Sequence, residues 1–233
     1  MKRLDHKWAL VTGSSRGIGQ QIAWGLAERG CNLIVHGRKP QNLQTTLGKL
    51  KALDVETHVV TGDLSTTEGV KQVITQARTA PDPVDILYNN AAIQAKYESI
   101  LTVDQAEWDR VFQVNVWALV ALCQAFAPGM RERGYGRIIN LTSGIADQPN
   151  LAAYSVSKAA VDKYSRDLAA EFKNDNVLVN YVDPGWLQTD MGGENAWFPV
   201  ETVLPGALVP ALLEDNGPTG RFYAAQDYKV LEY

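Results

Sequence analysis

The sequence predicts an α/β protein built on a doubly wound parallel sheet of about seven strands with helices on both faces. Three features carry that prediction. Short apolar runs alternate with longer amphipathic stretches along the whole chain. The runs are continuously apolar rather than alternating, as expected of parallel strands covered on both faces. The first run ends directly in a glycine-rich turn followed by a helical pattern.

Taken in order, the candidate strands are Trp8–Thr12, Asn32–His36, Val55–Val60, Val84–Tyr88, Arg137–Leu141, Val177–Val182 and Arg221–Tyr223. Each is a short run of Val, Ile, Leu or aromatic residues bounded by turn formers. Helical periodicity covers Gly17–Glu28, Gln41–Leu53, Thr67–Thr79, Asp104–Arg133 and Leu151–Lys173, with a weaker pattern at Val203–Leu213. Strand followed by helix, repeated, builds parallel βαβ units, and ligands of such sheets bind beyond the carboxyl ends of the strands. No linker, repeat or low-complexity tract divides the chain, so 1–233 is expected to form one domain. The long irregular stretch Asp183–Thr202, with Trp186, Gly192, Gly193, Trp197 and Phe198, is expected to be a substrate loop.

Bulk properties exclude several function classes. The formal charge is −4 and no basic cluster offsets it, which argues against nucleic acid as a partner. Cys31 and Cys123 lie far apart and form no CxxC pair, so a reducing, cytoplasmic setting is expected. His6, His36 and His58 show no ligand spacing, and no metal site is expected. The charged N-terminus is unlike a signal peptide, and no apolar run is expected to span a bilayer.

The turn reads Thr12-Gly13-Ser14-Ser15-Arg16-Gly17-Ile18-Gly19. Gly13 suits the tight turn, Gly17 a close backbone approach to a pyrophosphate, and Gly19 close packing of helix on sheet. Ser15, Arg16 and Ile18 stand where free N–H groups and the positive helix end would meet phosphate charge. The context of strand before and helix after makes this a Rossmann-type dinucleotide site. An NAD site wants a carboxylate about 20 residues further on, for the adenosine ribose. Here no Asp or Glu occurs between Glu28 and Asp54, and the second strand ends in His36-Gly37-Arg38-Lys39. A guanidinium suits a 2′-phosphate, so Arg38, with Arg16 in support, predicts NADP(H) in preference to NAD(H).

The G-x-x-x-G-x-G spacing resembles the short-chain dehydrogenase/reductase family, and further motifs match it in order from Trp8 to about Tyr223. Asp63-Leu64 follows the third strand, where the family contacts the adenine ring. Asn89-Asn90-Ala91-Ala92 follows the fourth and resembles the family's Asn-Asn-Ala-Gly, with Ala92 one methyl larger. Asp183-Pro184-Gly185 and Thr189 resemble the Pro-Gly turn and threonine that orient the nicotinamide carboxamide. The run through Gly193 is similar to carbonyl-reductase-like members.

Tyr154 and Lys158 are four residues apart at the start of a helical stretch, hence on one helix face. A free tyrosine titrates near 10, and an acid/base at neutral pH should sit about 3 units lower. The ammonium of Lys158 is one group expected to supply part of that lowering. The resemblance makes Tyr154 the proton donor and acceptor, with Lys158 also holding the nicotinamide ribose. It makes Ser143 the hydrogen-bond donor to the substrate oxygen, Thr142 being the fallback, and Asn115 the holder of a water in a proton relay. The Ser143–Tyr154 interval is shorter than is usual in the family, which changes the loop Gly144–Asn150.

The function so implied is hydride transfer between NADP(H) and a small-molecule carbonyl or alcohol. Reduction of imines or activated double bonds on the same scaffold, and a non-catalytic NADP-sensing regulator, are the alternatives. Association into a homodimer or homotetramer through the long helices is implied by resemblance. Trp186, Trp197 and Phe198 suggest an apolar substrate pocket or, alternatively, simple packing of the loop.

Overall fold

The computed structural model describes residues 3–230. Seven parallel strands form one sheet: β1 (Trp8–Val11), β2 (Asn32–Gly37), β3 (Thr57–Thr61), β4 (Ile86–Asn89), β5 (Gly136–Leu141), β6 (Val177–Asp183) and β9 (Phe222–Ala224). Their order across the sheet is β3-β2-β1-β4-β5-β6-β9. The connections reverse direction between β1 and β4, which opens a crevice at the carboxyl ends of those two strands. A doubly wound fold is what the apolar runs predict.

The reason lies in two buried faces. Along β1, Ala9 and Val11 enter the core beneath α1 (Gly17–Ala27) and α2 (Gln44–Leu50), while Trp8 and Leu10 enter the opposite core. That second core packs against α3 (Thr67–Ala77), α5 (Ala118–Arg133) and α6 (Ala152–Glu171). Every β1 residue is therefore apolar, because neither face meets water.

Local chemistry sets the boundaries that periodicity misses. The helix expected from Gln41 begins as a 3-10 turn, Pro40–Leu43, before α2 starts at Gln44. The expected Asp104–Arg133 helix has three parts: α4 (Gln105–Phe112), a π-helical segment Gln113–Trp117, and α5. Asp104 caps it, accepting the Glu107 N–H at 2.8 Å, and Gly134 ends it in the left-handed region at φ +65°. Contrary to expectation, Gln105–Arg133 is long and apolar enough to cross a membrane, with hydropathy 1.5 over its most apolar window. More than half of that window (56%) is buried, because the apolar residues face the sheet.

The weak pattern at Val203–Leu213 is not an α-helix. It folds as 3-10 turns, Val200–Val203 and Gly206–Leu212, since Pro205 and Pro210 lack the N–H an α-helix needs. Nor is the 183–202 stretch wholly irregular. It contains β7 (Leu187–Gln188) and β8 (Phe198–Pro199), which pair in parallel.

Candidate active site

The crevice is a cleft of about 680 Å³. Its floor is the glycine turn, and one wall is built from the ends of β2 and β3. The other wall comes from the ends of β4, β5 and β6 together with the start of α6. Gly13 has φ +64°, and a Cβ there would stand 3.1 Å from the Ala91 Cα, so only glycine suits the turn. A Cβ at Gly19 would fall on the Gly13 carbonyl and the Asn90 side chain. Asn90 donates to the carbonyls of Thr12 (2.8 Å) and Gly13 (3.3 Å), and Thr12 Oγ1 accepts the N–H groups of Asn90 and Ala91 at 3.0 Å. These bonds hold β4 to the turn. Ser15, Arg16, Gly17 and Ile18 then line the cleft at the start of α1.

At the adenosine end, Gly37 and exposed Arg38 leave β2 with no carboxylate at its tip. Asp63 and Leu64 line the same end. The Asp63 carboxyl is held below its ordinary value, chiefly by the Ser65 N–H and hydroxyl, with the Arg38 charge adding to the effect. Arg16 pairs with Asp190 at 3.0 Å, joining the turn to the 187–192 segment. Both side chains are about 70% exposed, so the pair is readily exchanged for another anion.

At the opposite end, Tyr154 and Lys158 of α6 face the cleft. The Ser143 hydroxyl hydrogen-bonds Tyr154 and also accepts the Ile145 N–H at 3.2 Å. Burial raises the Tyr154 phenol above its ordinary value; the Ser143 bond opposes this and the Asp183 charge reinforces it. The lowering expected from Lys158 is not seen. Its ammonium lies 5.7 Å from the Tyr154 ring centroid and donates instead to the Leu141 carbonyl at 2.8 Å. Burial pushes Lys158 down from 10.5 to about 8, against the charges of Asp162 and Asp183.

That lowering corresponds to roughly 3 kcal/mol of bias against the ammonium in the folded chain. The folded value is the depressed one, so the cost is complete below pH 8 and fades as pH rises from 8 towards 10.5. Lys158→Met is therefore expected to raise the melting temperature at pH 7, by up to about 6–12 °C less what the lost bond to the Leu141 carbonyl costs. The gain should shrink between pH 8 and 10, as scanning calorimetry at several pH values would show.

The other motif residues take definite positions. Asn115 lies in the π-helical segment and is buried. Its Oδ1 accepts the Ile93 N–H (2.9 Å), and Nδ2 donates to the Ile93 carbonyl and to Ser157 Oγ (both 3.0 Å). Both of its N–H bonds are engaged, so Asn115 pins the segment after β4 to α6. The Thr142 hydroxyl turns away to Asp162 and the Lys158 carbonyl. Pro184 lines the cleft, and Gly185 turns at φ +84° with its N–H on Asp183 Oδ1 (3.0 Å). The Thr189 methyl faces Gly17, while its hydroxyl accepts the Gly192 N–H at 3.0 Å.

Of the two readings of the loop tryptophans, packing within the loop is the one the structure supports. Trp186 and Trp197 stack edge-on at 5.5 Å and are 46% and 73% exposed, and the cleft is instead lined by Ile93, Val114, Met191 and Val200. The Trp186 indole is drawn aside by the Gly192 carbonyl, 2.9 Å away. His36 also lines the cleft. Its missing metal spacing hides it, yet its place at a strand end beside the turn is visible in the sequence. Among the described residues no cluster of three His, Cys, Asp or Glu could hold a metal.

The residues fit a dinucleotide. The turn is bare of side chain where a pyrophosphate must approach, the helix N-terminus faces the cleft, and guanidinium groups stand at one end. The fold and this cleft define a nucleotide-binding protein of the doubly wound class. A model of the short chain dehydrogenase family matches residues 7–197, and the chain belongs to that family.

Nodulation protein G of Azospirillum brasilense is 38% identical over 193 residues, spanning 81% of this chain and 77% of the relative. Dehydrogenase/reductase SDR family member 4 of Bos taurus is 36% identical over 188 residues, spanning 80% of this chain and 67% of the relative. Among solved structures, a 3-oxoacyl (acyl-carrier-protein) reductase of Agrobacterium tumefaciens with NADP bound has a TM-score of 0.85 at 29% identity, covering 95% of this chain and 93% of its own. A gluconate 5-dehydrogenase of Burkholderia cenocepacia in complex with NADP and tartrate has a TM-score of 0.81 at 25% identity, covering 95% and 94%.

Proposed function

We propose that this short-chain dehydrogenase uses NADP(H) in preference to NAD(H) and interconverts a carbonyl and an alcohol, with Tyr154 as general acid and base. One arrangement carries the reading. The Ser143–Tyr154 pair and Lys158 stand at one end of a cleft whose other end presents Arg38 with no carboxylate at the tip of β2. Bound NADPH would supply a hydride to the carbonyl carbon. Tyr154 donates its proton to the carbonyl oxygen, and Ser143 donates a hydrogen bond to that same atom as negative charge develops there. Lys158, which lines the cleft beside Tyr154, holds the nicotinamide ribose. Arg38, with Arg16 released from Asp190, holds the 2′-phosphate. Asn115 fixes the Ile93 segment against α6 and so sets one wall.

Burial of Tyr154 keeps the phenol protonated at neutral pH, which favours reduction. The same reading has the chain assemble as a homodimer or homotetramer through α4, α5 and α6, with Trp117 exposed in the π-helical segment between α4 and α5 and Val156 exposed on α6. Wild-type chain assayed with aldehydes, ketones, diketones and quinones is expected to consume NADPH at least tenfold faster than NADH. Binding of NADPH without turnover of any carbonyl or imine would favour a sensor instead.

A further inference from the structure

His36 is the penultimate residue of β2 and is 3% exposed, and its ring is fully hydrogen-bonded to backbone. Nδ1 accepts the Gly13 N–H at 3.0 Å, and Nε2 lies 3.0 Å from the Gly62 carbonyl just after β3. A carbonyl only accepts, so Nε2 carries the proton and Nδ1 keeps its lone pair. A single neutral tautomer satisfies both partners. The backbone of the same residue binds the next position of the turn. His36 N–H donates to Ser14 Oγ (2.9 Å), and Ser14 N–H donates to the His36 carbonyl (3.0 Å).

One residue thus ties two consecutive turn residues to the ends of two neighbouring strands. Gly13 is also the residue at φ +64° that packs on Ala91, so its amide is the pivot from which the chain enters Ser15–Gly19. An aliphatic side chain of similar size would fill the space and leave the partly buried Gly13 N–H without its acceptor.

We propose that His36 is a positioning residue of the cofactor turn: its neutral imidazole holds the Gly13 amide and thereby aims the amides of residues 15–19 at the dinucleotide phosphates. The inference rests on the NADP(H) reading above. Its consequence is that His36 governs cofactor affinity rather than the chemical step.

The test compares NADPH dissociation constants, read from cofactor fluorescence, for wild type, His36→Asn and His36→Leu. The Oδ1 of Asn stands one bond from Cγ, as Nδ1 does, and keeps the acceptor for Gly13. His36→Asn is expected to bind within about threefold of wild type, and His36→Leu about tenfold or more weakly. Amide exchange gives a second reading that does not need the Leu chain to fold. Gly13 should exchange slowly in wild type and in His36→Asn.

Equal affinity in all three chains, or equal weakening in both variants with unchanged melting, would overturn the assignment, as would fast exchange of the wild-type Gly13 amide. If wild type itself binds no NADPH, the cofactor reading fails and the role of His36 in it falls with it.

Discussion

Tyr154→Phe is expected to lower kcat by about 10²–10⁴-fold while leaving the NADPH dissociation constant within about twofold of wild type. The magnitude is that of a positioned general acid removed from the transition state. Affinity should hold because the substitution deletes only an oxygen, while Lys158 keeps its bond to the Leu141 carbonyl. Ser143→Ala should cost less, since it removes a neutral donor rather than the proton itself. The pH profiles should separate the two directions. Burial and the Asp183 charge raise the Tyr154 phenol, so reduction should be flat across neutral pH and decline only in alkali. Oxidation needs the phenolate and should rise with pH. Steady-state rates in both directions from pH 6 to 10 check this, and a Phe variant that keeps wild-type kcat would remove Tyr154 from the chemistry.

Arg38→Ala should weaken NADPH about 10- to 100-fold and leave NADH within about threefold. A charge-assisted, potentially bidentate bond to a 2′-phosphate is worth roughly 1.5–3 kcal/mol, and NADH has no such group to lose. Arg16→Ala should cost less, because in the cofactor-free chain Arg16 already holds Asp190 in an exposed pair. Parallel NADPH and NADH titrations of each variant check both statements. Equal losses for the two cofactors would assign Arg38 a structural part and leave the cofactor preference without a basis.

The fold was legible because buried parallel strands must be apolar throughout, so the runs at Ala9–Val11, Leu33–Val35 and Ile138–Ile139 announce themselves. The strand ends were legible too, since glycines at 13, 17 and 19 answer to backbone geometry that few other residues meet. What was hidden depends on side-chain direction. Whether Asn115 faces solvent, substrate or the Ile93 backbone is decided by a π-helical segment that its neighbours do not encode in any simple period. Lys158 and Tyr154 share a helix face, as their spacing requires. The pull of the Leu141 carbonyl on Lys158 arises from the end of β5, brought near only by tertiary packing. Trp186 and Trp197 look like pocket residues by composition, yet the Gly192 carbonyl holds one ring and the two rings meet edge-on outside the cleft. The role of His36 is hidden in the sequence because its partners are two backbone groups that follow β1 and β3, brought together only by the sheet.

The most direct measurement of the central claim follows the label from NADPH carrying deuterium at both positions of the transferring carbon into the product of the most reactive carbonyl. Deuterium on the carbinol carbon, with the hydroxyl proton drawn from solvent and the transfer lost in Tyr154→Phe, is the expected result. Product formed without deuterium at that carbon would contradict hydride transfer in this cleft.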